Sequence, residues 1–238
     1  MIREYSKWTS PALGRDMELL VFGHAGEPLV VFPTSMGRFC DYEERGMIEA
    51  LSPAIESGRI RAICADSVDA ESWYDKSVPP AARAARHVQY DRYVADELVP
   101  FARSLTGATR VSLTGCSFGG YHTMNFALRH PEMVDRAVSL GGAFDIQQFL
   151  GGYYDDNCYF NCPPDFLPSL DDGRILGEYR DNLRIVLAAG ERDICLGENI
   201  RLSGILRSKA VPHLLDVWGG GAGHDWPWWR GMARKFFP

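Results

Sequence analysis

The sharpest chemistry-bearing cluster in the sequence is Gly115-Cys116-Ser117-Phe118-Gly119-Gly120, a Gly-x-Ser-x-Gly arrangement. In a chain with 24 glycines the bare pattern is weak, and its flanks give it weight. Arg110-Val-Ser-Leu-Thr114 reads as a buried strand, and Tyr121 to Arg129 reads as a helix that stops before Pro131. A serine at the apex of such a strand–turn–helix is held in strained backbone, while the glycines let strand and helix approach closely. The helix N-terminus then presents N–H groups and a positive dipole end to a developing oxyanion. The competing readings are a plain glycine-rich turn or a phosphate-binding turn.

A serine hydroxyl needs a base to take its proton, and the base needs an orienting partner. Of the six histidines, His24 ends an early strand, His87 lies on a predicted helix, His130 sits in a helix-terminating His-Pro pair, and His213 begins a strand. His122 has already turned away from Ser117 along its helix. His224 follows the last strand in Gly219-Gly-Gly-Ala-Gly-His224-Asp-Trp, a loop at the strand's C-terminal end, where ligand and catalytic groups collect in a parallel sheet. It is the expected base.

The acid should lie between serine and histidine in chain order. Asp193 lies in Gly190-Glu-Arg-Asp193 after the strand Leu183 to Ala189, 76 residues beyond Ser117 and 31 before His224. Its alternative role is a helix cap or a surface pair with Arg192. Glu191 is the nearest rival, and Asp225 is too close to His224 in sequence. One oxyanion donor would be the Phe118 N–H. The second would come from Ser35 or Met36 in Pro33-Thr-Ser-Met-Gly37, and sequence does not choose between them. Trp73 and Trp226, on loops at the same edge, are the candidate substrate contacts. Tyr74, Tyr153, Tyr154, Trp228 and Trp229 are further aromatics nearby, Trp228 or Trp229 being read as core.

These residues must be positioned by short aliphatic runs, read as strands at 19–24, 28–32, 60–65, 110–114, 136–140, 183–189 and 213–218. Helices are predicted at 41–57, 84–105, 118–130, 198–209 and 225–236. The alternation predicts an α/β fold, a mostly parallel sheet with helices on both faces. The short connection His24-Ala25-Gly26-Glu27 suggests an antiparallel hairpin between the first two strands. An aromatic, glycine-rich and acidic stretch at 141–181 breaks the rhythm. It reads as an ordered excursion, a small lid over one end of the sheet, or else as a packed surface loop.

Composition narrows the function classes. Apolar residues make up 46% of the 238, so a disordered chain is excluded, and 31 acidic against 25 basic residues argue against a nucleic-acid binder. No run is long enough to span a membrane, and the N-terminus lacks the apolar core of a signal peptide, so a cytoplasmic protein is expected. The cysteines at 40, 64, 116, 158, 162 and 195 are expected as free thiols. Cys158 and Cys162 lack a second Cys or His pair, so no metal is expected.

Together these motifs resemble the α/β-hydrolase superfamily. Within it they are similar to the single-domain esterase group that includes esterase D-like and mycolyl-transferring enzymes. The likeness rests on Val31-Phe-Pro-Thr-Ser-Met-Gly-Arg-Phe39, Gly115-Cys-Ser-Phe-Gly-Gly-Tyr121 with Ala127-Leu-Arg-His-Pro131, Gly190-Glu-Arg-Asp193, and Gly223-His-Asp-Trp-Pro-Trp-Trp-Arg230. It implies one α/β-hydrolase domain over 1–238 and a Ser117–Asp193–His224 triad. The oxyanion loop departs from the pattern, with Pro33-Thr34 where a His-Gly pair is common. The expectation is a cofactor-free serine esterase acting on a small-molecule ester. Its rivals are an acyltransferase or thioesterase using the same triad, and a non-catalytic binding protein on the fold. Whether it forms a homo-oligomer stays open.

Overall fold

The computed structural model describes residues 1–238. Runs of consecutive apolar residues form central strands that are buried on both faces, and eight strands make one sheet in the order β1-β2-β4-β3-β5-β6-β7-β8. They are β1 (Arg3–Ser10), β2 (Arg15–Phe22), β3 (Glu27–Phe32), β4 (Ile60–Ala65), β5 (Val111–Cys116), β6 (Val134–Leu140), β7 (Arg184–Gly190) and β8 (His213–Trp218). β2 is antiparallel to β1 and β4, and every pairing from β4 through β8 is parallel.

Alternation along the strands divides the core between the two faces. Val30, Phe32, Leu113 and Leu187 meet Tyr90, Leu98, Met124, Leu128 and Leu202 from the helices on one side. Those helices are Pro80–Tyr93, Phe118–Arg129 and Leu196–Ser208; the first continues through a π-helical turn into Val99–Ser104. Leu29, Val31, Val138 and Leu140 face the other side, covered by helices Met47–Glu56 and Trp226–Phe236 through Leu51, Ile55, Trp229 and Met232. The helix expected over 41–57 is broken at Gly46, whose φ of 71° separates Asp41–Glu44 from Met47–Glu56.

The connection 24–27 does not close a hairpin, because β4 lies between β2 and β3. The chain instead crosses the start of β4 so tightly that a β-carbon on Gly26 would stand 2.4 Å from the Arg59 carbonyl carbon. The true hairpin partner of β2 is β1, which sequence reading missed. β1 reads Arg-Glu-Tyr-Ser-Lys-Trp-Thr-Ser and is mostly exposed, so no aliphatic run marks it. The 141–181 stretch is ordered and carries helices Asp156–Tyr159, Pro163–Phe166 and Gly173–Asp181. Its Ile146, Phe149, Cys158 and Cys162 pack against Trp73, Phe118 and Tyr121, directly beside the strand–helix turn at Ser117.

Candidate active site

Ser117 sits between β5 and helix Phe118–Arg129 with φ 55° and ψ −119°. A non-glycine residue at positive φ costs on the order of 1–3 kcal/mol and persists only where its surroundings impose it. Two close approaches impose it here. A β-carbon on Gly115 would lie 2.3 Å from the Gly119 carbonyl oxygen, and one on Gly119 would lie 2.5 Å from the Phe32 carbonyl oxygen. Only glycine lets the helix start this near β5 and the end of β3. The turn thereby lifts the serine side chain at the C-terminal edge of the sheet.

The structure brings the three expected residues together. Ser117 Oγ lies 2.9 Å from His224 Nε2, and His224 Nδ1 lies 2.7 Å from Asp193 Oδ1. Because a carboxylate only accepts, Nδ1 carries the proton and Nε2 faces the serine as acceptor. Asp193 is buried, and its Oδ1 also accepts the Cys195 N–H at 2.8 Å. Backbone bonds index the strand ends that carry these groups. Ser117 N–H donates to Leu140 O at 2.9 Å, Gly141 N–H to Ala188 O at 2.7 Å, and Glu191 N–H to Trp218 O at 2.8 Å.

The rival residues have other work. Glu191 Oε1 accepts the Gly221 N–H at 2.6 Å and so braces the glycine loop before His224. Asp225 caps helix Trp226–Phe236 by accepting the Trp226 N–H at 2.7 Å. Of the other histidines, His87 is buried beside the Tyr121 hydroxyl, and burial holds its pKa well below the ordinary value. His130 pairs with Asp91, and His213 with Ser203.

Gly141, read from sequence only as the start of the 141–181 stretch, lies against the Asp193–His224 pair. At φ 59°, it leaves a space where a β-carbon would stand 2.6 Å from Asp193 Oδ2, 3.0 Å from Trp229 Nε1 and 3.2 Å from His224 Nδ1. A Gly-Gly pair at the end of a central strand was the available signal.

The loop after β3 is fixed at almost every residue. Asp41 Oδ2 accepts the Thr34 N–H at 2.9 Å and its hydroxyl at 3.0 Å. The Tyr74 hydroxyl donates to Ser35 Oγ at 2.8 Å, Asp69 Oδ2 accepts the Met36 N–H at 3.2 Å, and Ser67 Oγ donates to Gly37 O at 3.0 Å. Met36 is held at φ 59°. Among the loop amides, the Ser35 N–H meets no protein acceptor.

Trp73 is not a pocket residue. It is fully buried, packing on His87 and Phe149, and its neighbour Tyr74 takes the half-exposed position at the edge. Trp226 keeps part of its surface open while packing edge-to-face on Tyr42 and Trp229, with the Arg45 guanidinium 5.7 Å from its ring. Met36 and Ile194, next to Ser35 and Asp193 in the chain, are exposed apolar side chains.

One group of metal-ligand type falls in the site: atoms of Asp193, Cys195 and His224 lie within 4.8 Å of one another. A cation there would have to displace the His224–Asp193 bond and ionise a thiol that burial has pushed up to about 12, so the donor set fits a metal poorly. Volume alone would point elsewhere. A cavity of about 620 Å³ opens at the N-terminal ends of β5–β8, lined by Arg110, Arg180 and Arg184. There Arg110 is held by Glu178, and Arg180 donates to the Ala210 and Lys209 carbonyls.

With this geometry, comparison with known proteins is informative. Residues 10–233 match the model of the family described as "Putative esterase". The chain belongs to the esterase family. It is thus a carboxylic ester hydrolase by family, built on the α/β-hydrolase fold. Among solved structures, the esterase is similar to a ferulic acid esterase, with TM-score 0.79 and 17% identity over 100% of this chain and 96% of the other. It is also similar to the Staphylococcus aureus S-formylglutathione hydrolase FrmB, with TM-score 0.73 and 19% identity over 99% and 95%. The Mycobacterium tuberculosis protein MPT51 superposes with TM-score 0.68 and 15% identity over 98% and 96%. No curated protein sequence matches this esterase. None of its helices is long and apolar enough to cross a membrane.

Proposed function

We propose that this esterase hydrolyses small carboxylic esters through an acyl-enzyme on Ser117, with His224 as general base and Asp193 as its orienting acid. The observation that carries the reading is the continuous hydrogen-bonded chain Ser117–His224–Asp193, ending on a serine held at positive φ. Ser117 Oγ attacks the acyl carbonyl carbon as its proton passes to His224 Nε2. The tetrahedral intermediate collapses, the ester C–O bond breaks, and His224 returns the proton to the departing alcohol oxygen. Water then attacks the acyl carbon, giving its proton to His224, and the acid product leaves as Ser117 regains that proton.

The oxyanion is stabilised by two backbone amides. Phe118, the first residue of its helix, has no intrahelical acceptor for its N–H. For the second donor the loop contacts favour Ser35 over Met36, since the Met36 amide is engaged by Asp69 and the Ser35 amide is not. The exposed apolar side chains of Met36 and Ile194, neighbours of Ser35 and Asp193 in the chain, support small or exposed esters rather than long buried acyl chains.

The test is stoichiometric labelling with a fluorophosphonate probe and peptide mapping, alongside hydrolysis of p-nitrophenyl acetate, butyrate and octanoate. Label on Ser117, lost in Ser117→Ala and His224→Ala, is the expected result. Full esterase activity in Ser117→Ala would end the proposal.

A further inference from the structure

Beside the site lies a buried pair of titratable side chains, Asp69 and His122. We infer that they form a positioning pair, His122 holding Asp69 and Asp69 holding the Met36 amide, which fixes the oxyanion loop against the helix that begins at Ser117. The inference rests on the oxyanion assignment above, and concerns what sets its geometry.

Three separate elements meet at Asp69. The residue lies in the single turn Asp69–Glu71 after β4, and His122 lies in helix Phe118–Arg129. Met36 lies in the loop after β3. The His122 Nε2–H donates to Asp69 Oδ1 at 2.9 Å, and the Met36 N–H donates to Asp69 Oδ2 at 3.2 Å. Asp69 is 1% exposed and His122 3%, so neither group can exchange its partner for water. A carboxylate buried this deeply is costly unless both oxygens are served, and here each oxygen has one donor.

The arrangement fixes more than it stabilises. Met36 at φ 59° is in a region that an unbranched non-glycine side chain leaves readily when nothing holds it. Its amide is the anchor adjoining Ser35, whose own N–H stays unengaged. If Asp69 releases Met36, the Ser35 N–H swings with it. The same His122 ring stands 5.1 Å from the Phe118 ring, edge-on, and 5.8 Å from Phe32 at the end of β3. Phe118 is the residue proposed as the other oxyanion donor, so one imidazole packs on its side chain and on the strand that leads into the oxyanion loop. Tyr74 adds a second tie from the same turn: its N–H donates to Asp69 O at 3.0 Å, and its hydroxyl donates to Ser35 Oγ.

A displaced donor should cost less than a deleted one, for which about 10²–10³ in kcat is usual. The test uses Asp69→Ala, Asp69→Asn and His122→Phe, with active sites counted by the endpoint of fluorophosphonate labelling, so that kcat is expressed per competent site. Asp69→Ala is expected to lower kcat per site by about 10–100-fold with KM within about 3-fold. A trifluoromethyl ketone, bound as a tetrahedral oxyanion, should weaken by the same factor as kcat/KM. Asp69→Asn keeps an oxygen for Met36 and should recover most of the loss, whereas His122→Phe keeps the ring without its N–H and should fall between. Should Asp69→Ala not fold, His122→Phe carries the same readout. Unchanged kcat per labelled site with only a lowered melting temperature would overturn the positioning role. Absence of label on wild-type Ser117 would instead overturn the triad reading on which it rests.

Discussion

Gly141→Ala separates two effects that a single glycine usually confounds. The new methyl group would meet Asp193 Oδ2 at 2.6 Å, so the carboxylate or the backbone must give by roughly 0.8 Å to reach ordinary contact. Trp229 Nε1 at 3.0 Å and His224 Nδ1 at 3.2 Å block the easy directions. A displacement of that size stretches the 2.7 Å His224–Asp193 bond, and misplacing a catalytic group by about 1 Å costs roughly 10²-fold. The left-handed φ of 59° adds about 1–2 kcal/mol of backbone strain. For a domain of this size that corresponds to a fall in melting temperature of roughly 2–8 °C. Gly151→Ala is the matched control, because Gly151 has nearly the same φ, 56°, with nothing within 4 Å of its would-be β-carbon. Calorimetry should show the φ strain in both variants, with the crowding around position 141 lowering the melting temperature of Gly141→Ala further. Steady-state hydrolysis of p-nitrophenyl butyrate should fall about 100-fold in kcat/KM for Gly141→Ala and stay near wild type for Gly151→Ala. Activity within about 3-fold of wild type in Gly141→Ala, at the expected melting temperature, would refute the link between this space and the acid's position.

Asp193→Asn should lower kcat by about 10⁴-fold while leaving the fold intact, since the amide can donate to Nδ1 and so hold the His224 imidazole in the wrong tautomer; kcat on the same ester and a circular dichroism melt check both halves. Trp73→Ala should cost about 3–5 kcal/mol in a urea titration, because the ring is fully buried, whereas Trp73→Phe should leave KM unchanged, as expected of a core residue. Burial pushes the Glu71 carboxyl up, but Arg86 and Arg15 together hold it below its ordinary 4.5. Its contribution to stability is therefore present above pH 4.5 and lost as pH falls through the lower folded value, and Glu71→Gln should flatten the acid limb of melting temperature against pH.

What could be read from sequence was what is local in chain and in chemistry. Ser117 announces itself through adjacent glycines, and Asp193 and His224 through loops that follow aliphatic strands, so the three could be named without knowing their distances. The sheet was legible where strands are buried on both faces and illegible at β1, whose solvent side reads as ordinary polar chain. The supposed hairpin failed for a different reason. A short connection fixes relative direction, but whether another strand lies between depends on β4, which comes later in the chain. Likewise, nothing local tells which of Trp73 and Tyr74 turns inward. The Asp69–His122 pair, separated by 53 residues, exists only once three elements have packed.

The backbone bonds that carry Ser117 to Leu140, Gly141 to Ala188 and Glu191 to Trp218 use no side chain at all. A ladder of peptide groups can slip only by whole residues, so the spacing between the loops that carry Ser117, Asp193 and His224 is quantised, not adjustable by degrees. Apolar core substitutions far from these loops can then erode stability without changing that register. This gives a physical reason why chains sharing 15–19% of their residues with this one still superpose along nearly their full length. Such a scaffold tolerates rewriting of many side chains, provided the Ser117, Asp193 and His224 side chains and the few glycines that let the ladder's ends meet are kept.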